Sequence, residues 1–214
     1  MPGHPNKIYD KSQIHPRVLL DFYPTPRVAT EMLLKHVHFE GSTWEPASGN
    51  GAISRVLEEQ PQLQVRSSGI QEKEYGEGGI DFLKTTWSCD NIVTNPPYSL
   101  LNPFMVHALA MATKKVAFLV NVHALFGVAR HSFYEKNPPS LILILSRGIP
   151  FFKGDKWTSG GGMKHIQLIW DKSDTSGSTR VEWALNVGKA VTDYDRELTF
   201  GPLSSLSQAF VSTS

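Results

Sequence analysis

The sequence predicts a doubly wound α/β domain built on a mostly parallel sheet. Three observations carry that expectation. Short strand-like apolar runs alternate with segments of helical period along most of the chain. Leu141–Leu145 (LILIL) and the VAFLV run inside Lys115–Val120 are nearly continuous apolar, as strands covered on both faces are. No internal repeat or linker divides the 214 residues, a length that suits one domain.

The elements follow in order. Residues 1–20, rich in Pro, His, Lys and Asn, read as an irregular arm. Thr25 followed by Pro26 is a helix start, with Thr as N-cap and Pro in the first helical position. Ala29, Leu33 and Val37 then fall four apart and form one buried stripe. Thr43-Trp44-Glu45 is a short strand, and Gly49-Asn50-Gly51 leads into a helix carrying Ile53, Val56 and Leu57. Gln64–Ile70 is a second strand and Asn91–Thr94 a third, stopped by Pro96-Pro97. Ser99–Thr113 reads as a helix with Pro103 near its start, Lys115–Val120 as a strand, His123–Glu135 as a helix, and Leu141–Leu145 and Ile166–Trp170 as strands. A loop of nearly twenty residues between the last two holds Lys153, Lys156, Lys164 and Gly160-Gly161-Gly162. The folded domain is placed at 21–172, and 173–214 is a C-terminal extension, Ser-rich at its end and expected to be partly disordered.

Composition narrows the function. Lys plus Arg number 21 against 20 Asp plus Glu, a net charge of +1, which excludes a binder that relies on overall positive charge. A local basic patch remains compatible with that total. One cysteine, Cys89, excludes a disulfide framework and a cysteine-based zinc or iron–sulfur site. Nothing approaches 18 consecutive apolar residues, and Met1-Pro2-Gly3-His4 does not open a secretory signal. The expectation is a soluble, reduced protein of the cytoplasm, with no membrane partner.

Two motifs carry chemistry. Glu45-Pro46-Ala47-Ser48-Gly49-Asn50-Gly51 lies where a strand gives way to a helix, the place where α/β sheets bind ligands. Its glycines permit a tight turn and close backbone approach, and Glu45 suits a cationic ligand group. It is not GxGxxG and lacks Gly-Lys-Ser/Thr, so a phosphate cradle is poorly supported; an ordinary glycine turn is the plainer reading. Asn95-Pro96-Pro97-Tyr98 directly follows a strand. Two prolines fix the backbone and leave carbonyls without a ladder partner. The Asn oxygen beside such a carbonyl can accept two hydrogen bonds from one amino or amide nitrogen, and Tyr98 offers a flat face for stacking. A rigid loop with a capping Asn and a core tyrosine is the plainer reading here, and the pairing of the two motifs weighs against it.

In this order and spacing, the two motifs resemble the S-adenosylmethionine-dependent amino-methyltransferases, and most closely the small phage-type DNA N6-adenine methyltransferases. The resemblance covers roughly residues 20 to 172 and includes Tyr23-Pro24-Thr25-Pro26, Asp81-Phe82-Leu83 and, more weakly, Arg130, Leu141–Arg147 and Ile166–Asp171. It implies a Rossmann-like, mostly parallel seven-stranded methyltransferase sheet with an antiparallel C-terminal strand, and makes 21–172 the catalytic domain. S-adenosylmethionine is the implied cofactor, held by Tyr23, Thr25, Glu45, Ala47, Gly49, Gly51, Gln71, Asp81, Phe82 and Asn95. Tyr23 and Thr25 would meet its methionine part and Asp81 its adenine amino group. Gly69 stands where such enzymes usually carry a ribose-binding acid; either Gln71 or Glu72 takes over, or cofactor affinity is weak. The implied substrate is adenine N6 in DNA, with Asn95, Pro96, Pro97 and Tyr98 as the catalytic set and no metal. The alternatives are an RNA adenine or a protein glutamine amide as acceptor, or a catalytically silent anti-restriction protein on the same fold. The sequence does not set the oligomeric state or the target sequence.

Other residues read more plainly. The eight histidines show no metal-ligand spacing and are surface or satisfied residues. Cys89 is a small core or loop residue, and Trp44, Trp87 and Phe104 are core aromatics. Lys153, Lys156 and Lys164 are the first candidates for nucleic-acid phosphate contacts, with Lys7, Lys11 and Arg17 of the arm as the next cluster; a solvated, idle loop is the plainer reading.

Overall fold

The computed structural model describes residues 25–72, 75–146, 152–153, 156–157 and 164–185, the two short pairs by backbone alone. Tyr23, the arm 1–20, the loop glycines 160–162 and the chain from 186 onward lie outside the described residues.

β1 (Gly41–Glu45), β2 (Leu63–Ser67), β3 (Cys89–Thr94), β4 (Ala112–Asn121), β5 (Leu141–Leu145), β8 (His165–Asp171) and β9 (Arg180–Ala184) form one sheet. Its order is β2–β1–β3–β4–β8–β5–β9. Every pair is parallel except those of β8, which runs antiparallel to both β4 and β5. The chain leaves β1 first toward β2 and later returns to its other side as β3. The carboxyl ends of β1 and β3 therefore flank the topological switch point, where open α/β sheets hold ligands. β6 (Phe152–Lys153) and β7 (Lys156–Trp157) pair as a separate antiparallel ladder inside the long loop.

The period of two along each strand sends alternate side chains to opposite faces. On one face Val93, Ala117, Leu119 and Leu143 pack under α1 (Arg27–His36) and α2 (Ala52–Glu58), through Ala29, Leu33 and Leu57. On the other, Ile92, Val116, Phe118 and Leu168 pack under α3 (Leu101–Met111), through Phe104, Met105 and Ala108. A sheet covered on both faces explains the unbroken apolar runs of β4 and β5. Gln167 is a buried polar residue on the first face, and its Nε2 donates to the Ala29 carbonyl at 2.6 Å.

Four local expectations change. Thr25 does not cap α1: Pro26 holds the N-cap place without a side-chain bond, because the Thr25 hydroxyl is engaged by Asn95. β2 ends at Ser67 rather than Ile70, since Ser68 and Gly69 turn out of the strand to bond the Glu45 and Glu77 carbonyls. The single helix expected over His123–Glu135 is a 3₁₀ turn (Val122–Leu125) followed by α4 (Val128–Lys136), broken at Gly127 with φ 112°. The sheet also continues past residue 172, where β9 adds a parallel edge strand beside β5.

Candidate active site

At the end of β1 the chain makes a tight turn. Gly51 N–H donates to the Ser48 carbonyl at 2.7 Å, while Gly49 and Gly51 take φ of 53° and 83°. These left-handed values favour glycine. A Cβ on Gly51 would lie 2.5 Å from Tyr75 Cγ. That ring is fixed: Tyr75 N donates to the Gly49 carbonyl at 2.9 Å, its hydroxyl to Glu58 Oε2 at 2.8 Å, and the Arg55 guanidinium sits 4.4 Å over its face. Burial, then the bond to Glu58, raises the Tyr75 phenol above its ordinary pKa.

Glu45 is 1% exposed. The β1–β3 register sets Thr43 beside Asn91 and Trp44 beside Ile92, which brings Thr94 within reach. Thr94 Oγ1 donates to Glu45 Oε1 at 2.5 Å, and Ala47 N–H donates to the same oxygen at 3.3 Å. A carboxyl group this deeply buried requires hydrogen bonds or a cation to offset desolvation.

The second motif leaves β3 at the neighbouring strand end. Pro97 carbonyl accepts from Leu100 N–H at 2.9 Å, whereas among the described residues the Pro96 carbonyl accepts none. Asn95 Nδ2 donates to Thr25 Oγ1 at 3.1 Å. With its amide nitrogen turned to Thr25, which is 5% exposed, the Asn95 oxygen is directed the other way. Tyr98 Oη lies 3.2 Å from Nε2 of the buried His165.

Both motifs open into one cleft, about 1040 Å³ of empty space with its solvent mouth included. Glu45, Ala47 and Gly49 line it from the first motif, and Asn95, Pro96, Pro97 and Tyr98 from the second. Thr25, Gln71, Asp81 and Phe82 complete the predicted set there. Gly51 is not on the wall; it makes the turn that shapes it. Between the alternatives at the β2 end, Gln71 lines the cleft, while the Glu72 carboxyl packs toward Gly79. Asp81 accepts from Leu83 N–H at 3.2 Å and pairs with the exposed Lys84 at 2.8 Å. Phe82 is 2% exposed, its ring 5.1 Å from that of Trp44 and 4.8 Å from that of Phe104.

Ile53, Ile70, Ile80 and Phe104 supply apolar wall that the sequence reading did not place in the site. The α2 period pointed to Ile53 as buried without saying on what. The donor set is a buried carboxyl at one end, bare glycine backbone beside it, a side-chain amide and a second carboxyl along the wall, and apolar surface between. It fits an extended ligand with a cationic end and a sugar–purine body, as S-adenosylmethionine is.

Other side chains behave as plain structure. Burial, with the Asp90 charge adding to it, pushes the Cys89 thiol up to about 11, the opposite of what a nucleophile needs. His36 faces Glu182 and His131 faces Glu135, both at 3.3 Å. Among the described residues no group of three or more His, Cys, Asp or Glu could hold a metal ion, and no helix is long and apolar enough to cross a membrane. Lys164 is exposed, and its carbonyl accepts from Val122 N–H at 2.8 Å; the Lys153 and Lys156 side chains lie outside the described residues.

Comparison with known proteins places this arrangement. No family model matches the chain, and no curated protein matches it. Solved structures do. A predicted RNA methyltransferase from Pyrococcus horikoshii superposes with a TM-score of 0.53 at 17% identity, over 76% of this chain and 90% of that one. The M protein of the type I restriction enzyme EcoKI superposes at 0.53 with 15% identity, over 81% of this chain and 51% of its own. The chain therefore has the Rossmann-like fold of the methyltransferases. On this fold, an Asn-Pro-Pro-Tyr turn faces a Glu45–Gly51 turn across one cleft.

Proposed function

We propose that this protein binds S-adenosylmethionine in the cleft and transfers its methyl group to the exocyclic N6 amino group of adenine in DNA. The observation that carries the reading is the meeting of the Glu45–Gly51 turn and the Asn95–Tyr98 turn on one wall-to-wall site. Glu45 would hold the cofactor's ammonium group, the Gly49 backbone and Gln71 its middle, and Asp81 with Phe82 its adenine. Thr25, Ala47 and Asn95 complete the cofactor wall; Tyr23 is assigned by resemblance. The cofactor supplies an electrophilic sulfonium methyl group.

The chain's own residues make the acceptor reactive. An exocyclic amino nitrogen is a poor nucleophile because its lone pair is delocalised into the ring. The Asn95 side-chain oxygen and the Pro96 carbonyl, both on a rigid turn, can accept its two hydrogens and favour a pyramidal nitrogen with a directed lone pair. Such fixed dipoles act strongly where water is excluded. Placing that lone pair in line with the methyl group supplies most of the rate. A target adenine in a duplex must leave the stack, at a cost of a few kcal/mol. Stacking on Tyr98 returns about 1–3 kcal/mol of that.

The two structures compared above are, by name, a predicted RNA methyltransferase and the M protein of a type I restriction enzyme, so the acceptor is decided by experiment. Incubation with isotopically labelled S-adenosylmethionine and unmethylated DNA, RNA or protein, followed by mass spectrometry of the hydrolysates, is the test. Labelled N6-methyldeoxyadenosine is the expected product. Label in RNA adenine or in glutamine alone would reassign the substrate, and label in none would return the chain to the silent binding-protein reading.

A further inference from the structure

We propose that His165 is the positioning residue of the acceptor site: it tethers the Tyr98 hydroxyl inside the protein so that the tyrosine presents its ring, not its hydroxyl, to the acceptor. The effect on the acceptor rests on the methyltransferase reading above; the tether itself does not.

Tyr98 begins a three-residue 3₁₀ turn after two prolines, and its side chain stands on the cleft wall. The turn fixes its backbone but leaves two side-chain torsions, so an untethered ring would sample several orientations. Its hydroxyl is 3.2 Å from His165 Nε2, across 67 positions of sequence. His165 is 1% exposed and opens β8, where it pairs with Asn121 at the carboxyl end of β4. The antiparallel course of β8 makes this geometry. In a sheet whose other strands are parallel, only the reversed strand brings its first residue level with the carboxyl ends that carry the site. His165 is thus a rigid anchor rooted in the sheet, and the bond points the phenol oxygen toward the sheet and away from bulk solvent. The hydroxyl is thereby held toward the sheet, and the ring is held for stacking.

Four variants test this: His165→Phe, His165→Gln, Tyr98→Phe and the double His165→Phe/Tyr98→Phe. Losing one hydrogen bond of about 1.4 kcal/mol corresponds to tenfold. His165→Phe and Tyr98→Phe are each expected to raise the KM for the acceptor about tenfold, with the Kd for S-adenosylmethionine within about twofold of wild type. The double variant is expected to be no worse than either single one, and His165→Gln, which keeps a side-chain nitrogen near the same place, to restore KM. A second readout is independent of catalysis. In protein labelled with ¹³Cζ-tyrosine, the Tyr98 resonance, assigned by its loss in Tyr98→Phe, should shift in His165→Phe and recover in His165→Gln.

Losses that multiply in the double variant, or a cofactor affinity that falls as far as acceptor binding, would overturn the proposal. So would an unmoved Tyr98 resonance. A wild-type protein that methylates nothing contradicts the proposed function instead, and the resonance still decides whether the tether exists.

Discussion

On the proposed reading, cofactor binding turns on Glu45. A carboxyl 1% exposed, with a hydroxyl and a backbone N–H on one oxygen, is placed where a cationic ligand end would be most strongly held. Glu45→Gln keeps the shape and the acceptor oxygen and removes the charge. It is expected to weaken S-adenosylmethionine at least about tenfold by calorimetry, the worth of one charge-assisted bond, with the thermal midpoint nearly unchanged. Equal affinities would move the cofactor elsewhere. Cys89 gives a test of opposite kind. With its thiol at about 11, about one molecule in a thousand carries a thiolate at pH 8, so iodoacetamide should label the folded protein far more slowly than the unfolded chain. Fast labelling of the folded protein would contradict its burial. At this scale the sequence was legible wherever a residue's role is set by its neighbours in the chain, as in Glu45–Gly51 and Asn95–Tyr98. The bonds of Asn95 to Thr25 and of Tyr98 to His165 were not legible, because the partners lie 70 and 67 positions apart.

Among the elements, the strand-to-helix turn ahead of α2 depends most on a single backbone conformation. Gly51→Ala forces a side chain into left-handed backbone, at about 1–2 kcal/mol, and against a Tyr75 ring 2.5 Å away that is anchored at both ends. With overpacking of about 1–3 kcal/mol, the thermal midpoint should fall by roughly 4–20 °C in a domain of this size. An unchanged midpoint would show that Tyr75 does not brace the turn. The strands of the sheet were readable because burial on both faces leaves an unbroken apolar signature in β4 and β5. Element ends were less so. β2 stops where Ser68 and Gly69 find backbone partners in Glu45 and Glu77, and the helix expected after β4 breaks at Gly127, where Arg130 bonds the His123 and Phe126 carbonyls. Tertiary bonds of this sort overrule local propensity.

For the whole molecule, a net charge of +1 means that nucleic-acid affinity must come from a local cluster. Lys153, Lys156 and Lys164 lie on the loop entering β8, the strand whose first residue meets Tyr98. Replacing all three with Ala should flatten the slope of log affinity against log salt by about two to three units for duplex DNA, at about 0.9 per phosphate contact. Cofactor affinity should be unchanged. An unaltered slope would leave the loop idle and shift attention to Lys7, Lys11 and Arg17. The fold class followed from the alternation of strands and helices, while β9 at the sheet edge did not, since its polar–apolar alternation is short and its side chains are mostly exposed. On the proposed reading, one cleft holds the cofactor and activates an amino group through Asn95. Its most direct test is the rate of labelled methyl transfer to DNA by wild-type protein and by Asn95→Ala, with S-adenosylmethionine affinity measured in parallel. Loss of a contact made chiefly in the transition state should lower transfer by about two orders of magnitude or more and leave cofactor affinity intact; turnover by Asn95→Ala close to that of wild type would contradict the account.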